Sequence, residues 1–182
     1  MPGPVFLDDG RVELRTVREA DYEFVLRVLN DPRIRHNGYE TYRSPVDESD
    51  VAASVEAADR HTFLVCTDGT PVGSVALKNV DLEGRNAELG YWVAPEEQGN
   101  GYATAAADLC LTHAFDELGL HKVWARTVGD NDASNRVLEK LGFDLEGVLE
   151  DHWYGIGRYV DEHRYGLINP NHRRGAESRR DE

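Results

Sequence analysis

Polar and apolar residues alternate over 11–17, the period-two pattern of a half-buried strand. Phe24, Val25, Val28 and Leu29 then recur at helical spacing and predict a helix over 20–29. Asn30-Asp31-Pro32 ends it, because proline cannot continue the helix and pushes Asp31 out of the α region. Ser44-Pro45 reads as a second helix start, continuing through Val46, Val51, Ala52 and Val55 to Ala58. Two apolar runs, 62–66 and 72–80, flank Asp68-Gly69-Thr70 and predict a β-hairpin. A polar turn over 81–85 leads into another strand at 87–93. The Ala- and Leu-rich stretch 103–118 predicts a helix that closes at Gly119. Strand, helix and strand follow between Lys122 and Tyr154, and a last strand covers 159–167.

Between the 87–93 strand and the 103–118 helix lies Gln98-Gly99-Asn100-Gly101-Tyr102-Ala103-Thr104. Gly99 and Gly101 allow a tight turn and close approach of a ligand. The first N–H groups of a helix lack intrahelical partners, and the helix dipole adds positive potential there. Such a loop holds a phosphate or pyrophosphate. A Walker loop would need Gly-Lys-Ser/Thr, and no lysine is present; a dinucleotide fingerprint would need glycine where Thr104 sits. What remains is Gln/Arg-x-x-Gly-x-Gly/Ala, filled by Gln98, Gly101 and Ala103.

That loop, together with Asn131-Asp132-Ala133-Ser134 leading to Leu141-Gly142-Phe143, resembles the GNAT superfamily of acetyl-CoA-dependent N-acetyltransferases. Glu88-Leu89-Gly90-Tyr91-Trp92-Val93 and the opening Val12-Glu13-Leu14-Arg15 resemble its ribosomal-protein N-terminal (Rim-like) branch. The similarity runs from about Val12 to Leu167. It implies an α/β (α+β) fold: a mixed, largely antiparallel central sheet with flanking helices and a splayed parallel strand pair that admits coenzyme A. One domain is expected over 1–168, with a polar, disordered tail over 169–182.

The resemblance assigns coenzyme contact to Trp92, Val93, Gln98, Gly99, Asn100, Gly101, Tyr102, Ala103, Thr104, Asn131 and Ser134. Ser134 is the candidate to hydrogen-bond or protonate the departing thiolate; the alternative is a helix cap. The tyrosine acid of many relatives is absent, since Val137, Leu138 and Leu141 stand in that region. Glu88 is the first candidate for the base that takes the amine proton, the alternative being a carboxylate that positions the amine or pairs with an arginine; Glu146, Glu150, His152 or a water are the other candidate bases. A backbone N–H in Tyr91-Trp92-Val93 is the expected oxyanion donor. Trp153 and Tyr154 are expected on the acceptor side, or in ordinary strand packing.

Composition narrows the picture. The 182 residues carry 20 Lys+Arg against 34 Asp+Glu, a formal charge of −14, which argues against generic nucleic-acid binding. Phosphates must then be held by local N–H groups and arginines. Lysine is confined to Lys78, Lys122 and Lys140, and such an acidic, lysine-poor surface fits either a salt-loving source or an ordinary acidic enzyme. Cys66 and Cys110 lie in apolar segments and read as buried thiols, with no metal spacing. His36, His61, His113, His121, His163 and His172 show no partner pattern and read as surface or packing residues. No apolar run is long enough to span a membrane, so a cytoplasmic protein is expected.

The expected activity is direct acetyl transfer from acetyl-CoA to a primary amine, with no metal and no covalent cysteine intermediate. The expected partners are acetyl-CoA and an amine acceptor, without nucleic acid or membrane, in a monomer or homodimer. The Rim-like branch suggests a protein N-terminus as acceptor. A polyamine or aminoglycoside is the alternative, and a non-catalytic acyl-CoA-binding sensor is a second class.

Overall fold

The computed structural model describes residues 2–35, 44–155 and 157–171. Eight strands form one sheet in the order β1-β2-β3-β4-β5-β6-β8-β7. They are β1 (Val5–Asp8), β2 (Glu13–Thr16), β3 (His61–Thr67), β4 (Thr70–Asp81), β5 (Asn86–Val93), β6 (Lys122–Val128), β7 (Asp144–Gly155) and β8 (Arg158–Ile168). Every neighbouring pair is antiparallel except β5 and β6. The helices are α1 (Tyr22–Leu29), α2 (Pro32–Arg35), α3 (Glu48–Glu56), α4 (Tyr102–Thr112) and α5 (Asp132–Lys140).

Helices cover both faces, so the central strands are continuous apolar runs and do not alternate. Phe63, Leu64, Val65 and Cys66 of β3 are all buried, as are residues 72–77 of β4. One core layer joins Leu14, Val65, Val75, Leu77, Leu89 and Val123 to Ala107, Cys110, Leu111 of α4 and Leu138 of α5. The opposite face carries Leu64 and Cys66 against Val25 and Leu29 of α1 and Val51 of α3. Both cysteines are buried and free, and burial pushes each thiol up to about 12.

Three elements depart from the sequence expectation. Strand β1 was not foreseen: four residues between Pro4 and the Gly10 turn are too few to show a period, and pairing with β2 creates the strand. Helix α3 starts at Glu48 and not at Ser44-Pro45, because Asp47 and Asp50 form a reciprocal capping box. Helix α4 passes at His113–Glu117 into a π-helical turn, where Leu118 N–H reaches back to the His113 carbonyl before Gly119 turns at φ +63°.

Two histidines that showed no pattern are partners. His113 is buried and joins His61 (Nε2 to Nδ1, 2.9 Å) and Glu117 (Nδ1 to Oε2, 2.7 Å). His36, His172 and most of the expected tail lie outside the described residues. Burial, then the neighbouring His113, lowers the His61 pKa below its ordinary 6.5. The unfolded chain therefore binds more protons than the folded one at mildly acid pH. The His61 contribution is whole above about pH 6.5 and is lost as pH falls through that value. The melting temperature should drop between pH 7.5 and 5.5, and His61→Gln should flatten that drop in a thermal-melt series.

Candidate active site: a cleft between parting strands

β5 and β6 pair at only three positions, Asn86 with Lys122, Ala87 with Val123 and Glu88 with Trp124. Beyond Glu88, β5 stays with β4 through Val93, while β6 stays with β8 through Val128. The two strands part, and the edge of β5 facing the gap keeps backbone groups without a strand partner. A cleft of about 440 Å³ fills the opening and runs from the glycine loop to Glu88. That is within the usual range for a small-molecule site.

At the loop end, Gly99 and Gly101 take φ of +84° and +77°. The Gln98 amide donates to the Val93 carbonyl at 3.1 Å and pins the loop to the strand end. Gly101 caps α4 without a side-chain bond, and the first intrahelical bond runs from Ala105 N–H to the Gly101 carbonyl. The N–H groups of Tyr102, Ala103 and Thr104 are thus unused within the helix. This cradle fits a pyrophosphate. Arg11, which the sequence did not single out, donates to the Asn100 carbonyl, and a Cβ on Gly101 would sit 2.9 Å from its Nη2. Arg11 and Asn100 are 89 positions apart in the chain, which leaves no local pattern to read.

Of the residues assigned to the coenzyme, Trp92, Val93, Gln98, Gly99, Gly101, Tyr102, Ala103, Thr104, Asn131 and Ser134 line the cleft, whereas Asn100 contributes the carbonyl that holds Arg11. Midway along, Asn131 caps α5 by accepting the Ser134 N–H at 3.2 Å. The cap is therefore Asn131, and the Ser134 hydroxyl has no hydrogen-bond partner among the described residues. Tyr91 crosses the parted strands and donates its hydroxyl to the Ser134 carbonyl at 3.2 Å. Burial pushes the Tyr91 phenol up, so it stays a proton donor fixed on that carbonyl.

Glu88 closes the other end, 2% exposed. Its oxygens accept from Lys78 Nζ (2.9 Å), Asn79 Nδ2 (3.0 Å) and Arg126 Nε and Nη2 (3.2 Å each). Burial lowers the Lys78 pKa, Glu88 opposes this, and Arg60 and Arg126 add to it. Arg126 also approaches a second fully buried carboxylate, Glu162, at 3.9 Å. Glu162 accepts from Trp153 Nε1 (2.8 Å) and Arg164 Nε (2.7 Å), with His152 Nε2 at 3.9 Å. Trp153 thus holds Glu162, Tyr154 meets Tyr159 edge-on at 5.1 Å between ring centroids in the exposed hairpin, and neither Trp153 nor Tyr154 lines the cleft. Glu146 pairs with Lys122 at 2.7 Å, and Glu146, Glu150 and His152 stand outside the cleft lining; of the candidate bases, Glu88 alone lines it.

A mixed sheet whose parallel pair opens over a glycine loop and a helix N-terminus defines an acyl-coenzyme A-dependent transferase. The chain belongs to the GNAT acetyltransferases: the acetyltransferase (GNAT) domain matches residues 11–144. It is an acetyl-CoA-dependent N-acetyltransferase. An uncharacterized N-acetyltransferase of Bacillus subtilis, YoaA, is 35% identical over 171 residues, covering 90% of this chain and 97% of that protein. The spermidine N(1)-acetyltransferase of Escherichia coli is 30% identical over 150 residues, 81% of each chain. The fold matches RimL, a ribosomal L7/L12 alpha-N-protein acetyltransferase solved with coenzyme A, at a TM-score of 0.82 and 19% identity, covering 91% of this chain and 98% of that one. No helix among the described residues is long and apolar enough to cross a membrane.

Proposed function

We propose that the chain acetylates the α-amine of a protein N-terminus by direct attack on acetyl-CoA in a ternary complex. The observation that carries this is the continuous cleft, with the pyrophosphate cradle at one end, Glu88 at the other and the Ser134 hydroxyl between them. Backbone N–H groups on the open edge of β5, in Tyr91-Trp92-Val93, stabilise the oxyanion. The amine nitrogen bonds to the carbonyl carbon and the C–S bond breaks. Ser134 hydrogen-bonds the departing thiolate, and Glu88 takes the amine proton directly or through a water. Cys66 and Cys110 are outside the cleft lining, consistent with a single-step transfer. The 30% identity to a spermidine acetyltransferase supports a second reading, a polyamine acceptor.

Thiol release from acetyl-CoA, measured with N-terminal peptides, polyamines and aminoglycosides at low and molar salt, tests both. Release with peptides and not with polyamines is expected; the reverse makes the small-molecule reading correct. Tight acetyl-CoA binding with no release to any amine would point to a sensor. A second measurement addresses Ser134. A hydrogen bond to a charged sulfur contributes about 1.5–3 kcal/mol, so Ser134→Ala should lower turnover roughly 10- to 100-fold. Acetyl-CoA affinity should stay within about twofold, since the hydroxyl acts on charge that develops during transfer. Wild-type turnover at saturating substrate would leave Ser134 as a helix residue only.

A further inference from the structure

Past Glu88, β5 loses β6 as a neighbour, and no backbone ladder sets the width of the gap. Acetyl transfer nevertheless asks groups on opposite sides of it to keep one spacing. The oxyanion donors lie on the open edge of β5, and the Ser134 hydroxyl lies in the first turn of α5. The carbonyl carbon and the sulfur that they serve are bonded to each other. An error in that spacing misplaces one donor or the other.

The α5 turn is tied down from two sides. On the β6 side, Thr127 Oγ1 donates to Asn135 Oδ1 (2.5 Å), and Asn135 Nδ2 donates to the Gly129 carbonyl (3.1 Å). On the β5 side stands the Tyr91 hydroxyl, on the Ser134 carbonyl. Among the described residues it is the only hydrogen bond from a β5 side chain to α5. Alternation along the strand lets it reach. Ala87, Leu89 and Tyr91 face the core layer that holds α4 and α5, while Trp92 packs on the opposite face against Phe24. The Tyr91 ring is packed into that layer, where phenylalanine would fill the same space. Packing therefore accounts for the ring and leaves the hydroxyl to be explained.

We propose that Tyr91 is a positioning residue: its hydroxyl ties the oxyanion edge of β5 to the Ser134 turn of α5 and so sets the spacing of the two donors on the thioester. The inference rests on the role of Ser134 given above. Tyr91 transfers no proton, since its own is engaged by the Ser134 carbonyl.

The test is a double-variant cycle on turnover, with Tyr91→Phe, Ser134→Ala and both together. Thiol release from acetyl-CoA is followed with an N-terminal peptide and with spermidine, so the answer does not depend on the acceptor. Acetyl-CoA affinity by calorimetry and melting temperature are read on every variant. Tyr91→Phe should lower kcat about five- to tenfold, the scale of one lost hydrogen bond, with acetyl-CoA affinity within about twofold. In the Ser134→Ala chain the same change should lower kcat by less than about twofold, because the group being positioned is gone. Full turnover in Tyr91→Phe beside a slow Ser134→Ala would overturn the inference and leave the Ser134 reading standing. An equal loss in both backgrounds would also overturn it, since the phenol would then act on the substrate by itself. Weaker acetyl-CoA binding with kcat unchanged would reduce Tyr91 to a wall of the cleft. Full turnover in Ser134→Ala would remove the Ser134 reading and this inference with it.

Discussion

Gly101→Glu should weaken acetyl-CoA binding about 100-fold or more, the largest effect on affinity expected from one residue. Two costs coincide. Gly101 sits at φ +77°, a left-handed conformation that costs a side chain about 1–2 kcal/mol. The new carboxylate would also stand in the cradle formed by the N–H groups of Tyr102, Ala103 and Thr104, displacing or repelling a pyrophosphate. Together these reach about 3 kcal/mol, roughly two decades in affinity. Gly101→Ala isolates the backbone term. Its Cβ would meet only the end of Arg11, at 2.9 Å, and a flexible side chain moves away at small cost, so about a tenfold loss is expected. Calorimetric titration with acetyl-CoA, with the melting temperature as a folding control, measures both. Unchanged affinity in Gly101→Glu would remove the loop from the coenzyme site.

What could be seen in the sequence was what lies close together along it. The hairpin around Asp68-Gly69, the β5 strand, the glycine loop and the Asn131 helix start are each local, and the structure places each within a few residues of expectation. The parting of β5 and β6 had no local mark and came only from family resemblance. Its structural basis is a change of partners, since β6 goes on with β8 where β5 goes on with β4. The surroundings of Glu88 were hidden for a similar reason. Lys78 and Arg126 are 10 and 38 residues away and become neighbours only through sheet register. Glu162 is the plainest omission: a carboxylate in a polar strand reads as exposed, yet it is fully buried beneath Trp153 and Arg164. A small signal did exist for His113 and Glu117, four residues apart in one helix and so on one face.

Glu88→Gln should lower turnover by about 100-fold or more, because positioned general bases contribute roughly 10²–10⁴. Loss of activity alone would not prove that role. Glu88 also neutralises Lys78 and Arg126, and breaking a buried pair costs about 3–5 kcal/mol. Here the lower end is expected, as the two cations keep 25% and 27% exposure. The single variant therefore mixes a chemical and a structural effect. Lys78→Met in the same chain separates them, because removing one cation with the carboxylate restores local charge balance and much of the stability. If Glu88 takes the amine proton, the double variant regains its melting temperature and stays slow. Recovery of turnover along with stability would show that Glu88 serves only to hold its two cations in place. Proton removal would then fall to water, since Glu146, Glu150 and His152 do not line the cleft.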